Sequence, residues 1–244
     1  SINELRDLLP GYINGSDELV FSIGKYPLIE KMVLEIFSQQ LENRSRLGIG
    51  GNSIKSPEIY LNEMRLIKSE FEINRMRKAI QISAEAHELV RESISSKKNE
   101  RQIQGVLEGF FLEKGARGPA YNSIVASGDN ACILHYTSNN SPLNKGDLLL
   151  VDAGCSLSDY YNGDITRTIP ISGKFSCEQK AIYQIVLSAQ KTAIKSAITG
   201  SNSSTVHNVA LTILIEGLKE IGLLSGSTEQ IIENQSYKHL YMHR

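Results

Sequence analysis

Two aspartates carry the most chemistry in this sequence. Val151-Asp152-Ala153-Gly154 closes a run of apolar residues, and Gly163-Asp164-Ile165-Thr166-Arg167-Thr168 opens an alternating stretch, with eleven residues between the two carboxylates. An aspartate at the end of a buried apolar strand is costly unless its charge is compensated. If the two stretches pair as an antiparallel hairpin, Asp152 and Asp164 meet across its open end, where two carboxylates repel unless a cation lies between them. A hard divalent ion, or a pair of them, resolves that conflict with oxygen ligands. Asp164, Thr166 and Thr168 then share one strand face, so the two hydroxyls could support the site. The same spacing also fits an aspartate that caps a turn beside an exposed second one, and the pair alone leaves both readings open.

His135 is the second candidate. Ala131-Cys132-Ile133-Leu134-His135-Tyr136 reads as an apolar strand, and a histidine there is ordinarily a core residue with one satisfied nitrogen. Its interest comes from company: Tyr121, His135, Asp152 and Asp164 fall on successive strands that can line one concave face. A neutral imidazole beside a metal site can hydrogen-bond a substrate carbonyl or steady a charged tetrahedral species. His87 and His207 fall on helices and read as surface or core residues. His239 and His243 are four apart but are not read as facing one ion. Gly48 to Gly51 is no phosphate loop, because no Lys-Ser/Thr follows it, and no GxSxG is present.

These residues need elements to hold them. Leu19 to Gly24 reads as a short buried strand, Tyr26 to Leu41 has a helical period, and residues 48–55 read as a loop. That makes residues 1–60 a βα piece too small to be a comfortable domain alone. Residues 56–68 read as a linker. Ser69 and Glu72 form a capping box that opens a long helix with Ile73, Met76, Ile80 and Val90 inward; a second helix runs from Glu100 to Lys114 and stops at Gly115. Strands follow at 121–126, 131–136, 148–152 and 164–171, the third a continuous apolar run that reads as buried on both faces. Turns fall at 127–130 and 145–147. Ser176 with Gln179 caps a helix to about 197, and a last helix covers 205–221 before Gly222. The fold class is α+β.

Composition sets the bounds. Hydrophobic residues make up 41% and charged residues 22%, enough to bury a core and too ordinary for whole-chain disorder or coiled coil. A net charge of −1 gives no general field for nucleic acid or anionic lipid. No apolar run is long enough for a membrane span, and no signal peptide is visible. Three cysteines without a CxxC pair point away from a disulfide framework or structural zinc and fit a reducing cytoplasm.

The segments Glu63-Met64-Arg65-Leu66-Ile67-Lys68-Ser69-Glu70, Tyr121-Asn122-Ser123-Ile124-Val125, Ile133-Leu134-His135-Tyr136, Asp152-Ala153-Gly154-Cys155, Gly163 to Thr168 and Tyr241-Met242-His243 resemble, in order and spacing, the Xaa-Pro aminopeptidases. These are dinuclear metallopeptidases of the pita-bread (creatinase/aminopeptidase-like) fold, related to prolidase, creatinase and methionine aminopeptidase. The resemblance implies a partial pita-bread domain over 61–244, incomplete at its C-terminus, preceded by the C-terminal part of an α/β N-terminal domain over 1–60. It implies release of the N-terminal residue from peptides with proline in second position, by a hydroxide held between two divalent ions. Mn2+ is the first expectation, with Co2+, Zn2+ or Fe2+ as alternatives. By position, Asp152 and Asp164 match metal ligands, with Asp164 bridging. His135 matches a catalytic and substrate-binding histidine, Tyr121 a substrate-side tyrosine, and His243 a catalytic histidine that assists the tetrahedral intermediate.

Two departures accompany the resemblance. The family's further ligands, one His and two Glu, are not supplied by this chain, whose ends look cut, so the 244 residues alone are expected to bind a metal pair poorly and to be inactive. The stretch between the aspartates is one residue longer than is usual, which is expected to lengthen a turn without displacing a ligand. The implied partners are peptides with an Xaa-Pro N-terminus and, in the full-length form, further copies of the same chain, with no nucleic acid and no membrane. Two alternatives stand beside this reading: a prolidase restricted to Xaa-Pro dipeptides, and a non-catalytic pita-bread module that binds a protein partner.

Overall fold

The computed structural model describes residues 2–13, 16, 18–47 and 53–241 and divides into two compact units, Ser1–Asn74 and Arg75–Arg244. The first unit holds α1 (Ile2–Ile13), β1 (Glu18–Val20), α2 (Pro27–Leu47), β2 (Ser53–Lys55) and α3 (Glu58–Leu66). β1 and β2 pair in parallel, Leu19 opposite Ile54, and a small core of Ile13, Ile36 and Phe37 packs with Leu9, Leu19 and Ile54. Several expectations change here. α1 is hidden in the sequence by Pro10-Gly11, a dipeptide that ordinarily marks a turn. β1 is shorter and less buried than 19–24 suggested, because Gly24 turns the chain at φ 88°. Of the loop expected at 48–55, residues 53–55 are a strand, since they find a partner in β1, and 48–52 lie outside the described residues. The expected linker 56–68 contains α3, whose nine residues include none that is buried.

Ser69 opens α4 (Glu70–Ser93) as a capping box: its N–H donates to Glu72 Oε2 at 2.7 Å and its Oγ accepts the Glu72 N–H at 3.4 Å. The inner face of α4 is Ala79, Ile82, Ser83, Ala86, His87 and Val90. Val90 was expected there; Ile80 was too, yet it is exposed, and Ile73 and Met76 are half-buried. Ala79 and Ser83 are small where the backbone of Gly163 and Cys155 comes closest, while Ile82, His87 and Val90 fill the rest of the face. α5 (Glu100–Glu113) is capped by Asn99, whose side chain accepts the Gln102 N–H at 3.0 Å, and it ends at Gly115 with φ 78°.

A short ladder joins β3 (Gly118–Pro119) to β6 (Cys155–Ser156), and the main sheet runs β4 (Ile124–Ser127), β5 (Leu148–Ala153), β7 (Ile165–Pro170), antiparallel throughout. Leu149, Val151 and Ala153 face a core built with Ile103, Leu107 and Phe111 of α5 and the small residues of α4. The alternate residues Leu148, Leu150 and Asp152 are only half-buried. The expectation of burial on both faces is therefore corrected: the run is continuously apolar, but one face is open enough to carry a site.

The strand expected at 131–136 is absent. Residues Gly128–Cys132 form a 3-10 turn, Ile133 and Leu134 are exposed, and among the described residues no strand pairs with this stretch. β-forming composition does not make a strand without a partner edge. After β7 come α6 (Cys177–Ser196), opened by the Ser176/Gln179 capping box, and α7 (Ser203–Glu220). These two helices approach so closely that a Cβ on Gly217 would lie 2.6 Å from Ile185. α8 (Thr228–Glu233) and a 3-10 turn at Ser236–His239 complete the unit. Among the described residues no helix is long and apolar enough to cross a membrane.

Candidate metal centre

The antiparallel register sets Asp152 opposite Thr166. Asp152 is on the open face of β5, and Asp164 immediately precedes β7. The hairpin that joins them is closed by glycines. A Cβ on Gly154 would lie 1.8 Å from the Gly163 carbonyl oxygen, and a Cβ on Gly163 would lie 2.3 Å from Ser83 Oγ and 2.9 Å from the Ala79 carbonyl. The Gly163 N–H donates to the Cys155 carbonyl at 2.9 Å, and the Cys155 N–H to Ser83 Oγ at 3.0 Å, while that hydroxyl donates to the Ala79 carbonyl at 2.8 Å. His87 adds a second tie from α4, its Nε2 lying 3.0 Å from the Ala153 carbonyl, which fixes Nε2 as the donor. Burial first, and the neighbouring Arg167 charge as well, hold the His87 imidazole below its ordinary pKa despite the Ala153 bond. The loop between the aspartates is anchored by an ion pair of Asp159 with Arg75 and by Arg117 stacked 4.7 Å over the Tyr160 ring. The two carboxylates converge with this loop in place.

Tyr121 meets both. Its hydroxyl lies 2.6 Å from Asp152 Oδ1 and 2.8 Å from Asp164 Oδ1. It is carried there by the β3–β6 ladder, which continues through the Ala120 N–H to the Gly154 carbonyl at 2.8 Å. One phenolic proton can serve only one carboxylate at a time, so the other faces the oxygen without a donor. Burial, and then the two carboxylate bonds, push the Tyr121 phenol far above its ordinary pKa, so it remains a neutral donor. No ion pair to Asp152 or Asp164 exists among the described residues.

Two carboxylates and a neutral hydroxyl are an all-oxygen set that suits a hard divalent cation, and a cation between the carboxylates would supply the charge the protein does not. The set fits as part of a metal centre. No group of three or more His, Cys, Asp or Glu side chains able to hold a metal occurs among the described residues. Among the described residues neither Thr166 nor Thr168 hydrogen-bonds a carboxylate, whereas the Tyr121 hydroxyl does.

The structure therefore brings together three of the expected residues, Tyr121, Asp152 and Asp164. His135 is not in a strand; it is exposed, adopts φ 55°, and makes no hydrogen bond to the other three. Of the four, only Asp152 lies within a strand, so a row of successive strands is not what assembles the site. His243 lies outside the described residues. His239 is exposed in the last 3-10 turn. Residues that the sequence did not single out do much of the positioning: Gly154, Gly163, Ser83 and Ala79 behind the hairpin, and Asn139 in the loop after His135. Asn139 is buried at φ 47°; its side chain accepts the Val125 N–H at 2.9 Å and donates to the Ser123 carbonyl at 2.7 Å. The glycines could have been read from their places beside the two aspartates. Asn139 has no comparable signal.

The model of metallopeptidase family M24 matches residues 74–244. The chain is 46% identical over 183 residues to the Xaa-Pro aminopeptidase of Haemophilus influenzae, covering 75% of this chain and 42% of that protein. It is 34% identical over 244 residues to that of Escherichia coli, covering 100% and 55%. The structure of Pseudomonas aeruginosa aminopeptidase PepP superposes with a TM-score of 0.89 at 37% identity, over 100% of this chain and 55% of that one. Zinc-substituted Escherichia coli aminopeptidase P in complex with product does so at 0.89 and 33% identity, over 100% and 55%. The chain thus spans about half the length of the relatives it matches, and its α+β fold is the pita-bread fold in part.

Proposed function

This chain belongs to metallopeptidase family M24, and on that premise we propose that the protein is a metal-dependent aminopeptidase that releases the N-terminal residue from peptides with proline in second position. The observation that carries this reading is the convergence of Asp152 and Asp164 on the Tyr121 hydroxyl, at 2.6 and 2.8 Å. Asp152 and Asp164 would hold two divalent ions, Mn2+ foremost. Such ions polarise a carbonyl and lower the pKa of bound water towards neutrality.

The chain's own residues then have distinct tasks. Asp152 on β5 and Asp164 just before β7 bring negative charge to the face that also carries Leu148 and Leu150. Tyr121 orients whichever carboxylate oxygen it donates to. His135 has no hydrogen bond among the described residues, so its ring is available to the carbonyl of a bound peptide. His243 is proposed as the second catalytic histidine. Residues 1–60 are proposed as the end of an α/β domain, a reading supported by the parallel β1–β2 pair, and 61–244 as part of the catalytic domain. The full-length form is proposed to be a cytoplasmic homo-oligomer. Retention of both carboxylates supports the enzyme over a non-catalytic binding module.

The test is hydrolysis of an Xaa-Pro tripeptide by the full-length gene product with Mn2+. Either Asp152→Asn or Asp164→Asn is expected to lower kcat/KM by more than the roughly 10–100-fold of an outer-shell change. Absence of turnover by the wild-type protein, or turnover that either variant leaves intact, would contradict the proposal. The 244-residue polypeptide alone is expected to show no turnover, because only two carboxylates converge among its described residues.

A further inference from the structure

Glu100 is the first residue of α5 and is fully buried, yet among the described residues it forms no ion pair. Its carboxylate is satisfied by the loop that carries His135. Oε1 accepts the Ser127 N–H at 2.7 Å and the Asn130 side-chain amide at 3.1 Å, with the Ser127 hydroxyl at 2.9 Å; Oε2 accepts the Ser141 N–H at 2.9 Å and the Tyr136 hydroxyl at 2.8 Å. These donors stand at both ends of the 127–141 loop and at its middle, and Tyr136 is the neighbour of His135. Beyond β4 the described residues of this loop form only the 3-10 turn Gly128–Cys132, and His135 adopts a left-handed backbone conformation that is uncommon for a residue other than glycine. The Glu100 N–H also donates to the Ser141 carbonyl at 3.0 Å, so the carboxylate and its own backbone grip the same residue. Burial opposes the charge, but the Ser127 amide, Asn130, the Ser141 amide and Tyr136 together hold the carboxyl below the ordinary glutamate range.

We propose that Glu100 is a positioning residue for His135: its buried carboxylate, bonded to Ser127, Asn130, Tyr136 and Ser141, sets the 127–141 loop in the conformation that presents the His135 ring. The part that concerns catalysis rests on the aminopeptidase reading above. A buried carboxylate that only stabilised the fold would change melting without changing turnover by the folded protein. A positioning carboxylate acts only where His135 is present to be positioned.

A double-mutant cycle in the full-length, Mn2+-loaded gene product separates the two. With His135 in place, Glu100→Gln is expected to lower kcat about tenfold or more, since a small misplacement of a reacting group is enough for that. In a His135→Ala background the same change is expected to cost less than about twofold. Tyr136→Phe, which removes one donor and leaves every backbone bond, is expected to repeat the pattern at smaller size, and it decides the matter if Glu100→Gln does not fold. Equal losses in both backgrounds overturn the proposal. Amide exchange in the same proteins reports the loop without reference to activity: Ser127 and Ser141 are expected to exchange faster in Glu100→Gln while Leu149 and Val151 stay protected. Unchanged protection at Ser127 and Ser141 overturns the proposal as well. A wild-type protein that never hydrolyses Xaa-Pro peptides would instead overturn the functional reading and the His135 half of the proposal, with exchange still deciding whether Glu100 sets the loop.

Discussion

Asp152 and Asp164 are placed by backbone, His135 by side chains. The β5–β7 ladder pairs six residues on each strand, two glycines close its open end at van der Waals limits, and Ser83 and His87 bond it to α4 through main-chain groups. The loop from Gly128 to Ser141 has no ladder; it is held by the Glu100 carboxylate and the Asn139 amide, both buried and both bonded to residues distant in sequence. A ladder tolerates side-chain change and fails when a Cβ intrudes. A loop held by polar side chains fails when one of those side chains is removed, because the buried amides and carbonyls it served are left unpaired.

The largest effect is expected from Gly154→Ala. Its Cβ would stand 1.8 Å from the Gly163 carbonyl, so the hairpin must open, and a loss of at least about 4 kcal/mol is expected in a denaturant melt. A variant that melts with the wild type would show that the hairpin is not closed by backbone contact. Next in size is Asn139→Ala, which strands the Val125 N–H and the Ser123 carbonyl and puts alanine at a positive φ; about 3 kcal/mol is expected. Amide exchange should rise at Val125 and leave Val151 protected, whereas an even rise across the sheet would dissolve the distinction between the two regions.

The tie from α4 is open to titration. His87 has a folded-state pKa below its unfolded value of about 6.5. The unfolded chain therefore binds the proton first, and the stability that depends on a neutral His87 is complete above pH 6.5 and lost as pH falls through the folded value. The slope in that window reaches about 1.4 kcal/mol per pH unit for one group. His87→Gln should flatten the acid limb of a stability–pH curve between pH 6.5 and lower values; an unchanged limb would remove His87 from the account. The smallest effect is a control outside both regions. Ser176→Ala removes the capping-box oxygen of α6 and is expected to cost about 1 kcal/mol without altering exchange in the hairpin or the loop.

The same division governs what the sequence makes legible. Periodicity and caps locate α4, α5, α6 and α7, and the hairpin follows from an apolar run, an alternating run and two aspartates beside glycines. All of that is local information, and the ladder amplifies it. The loop reads as a strand because Ile133, Leu134 and Tyr136 have β-forming side chains, while what shapes it lies in Glu100, some thirty residues earlier, and in Asn139, whose role depends on a buried position that no periodicity marks. α1 was hidden by Pro10-Gly11, and α3 by a polar, unburied surface that looks like a linker. Periodicity points to large apolar residues such as Ile80 for the inner face of α4, whereas Ala79 and Ser83 lie against the glycine hairpin, a packing partner that only the fold reveals.

Asp152 and Asp164 are proposed to hold divalent metal together. Calorimetric titration of Mn2+ into the full-length gene product tests it without depending on turnover. Saturable binding is expected, and Asp152→Asn and Asp164→Asn are each expected to weaken it by about tenfold or more. Binding that survives both substitutions unchanged would contradict the account.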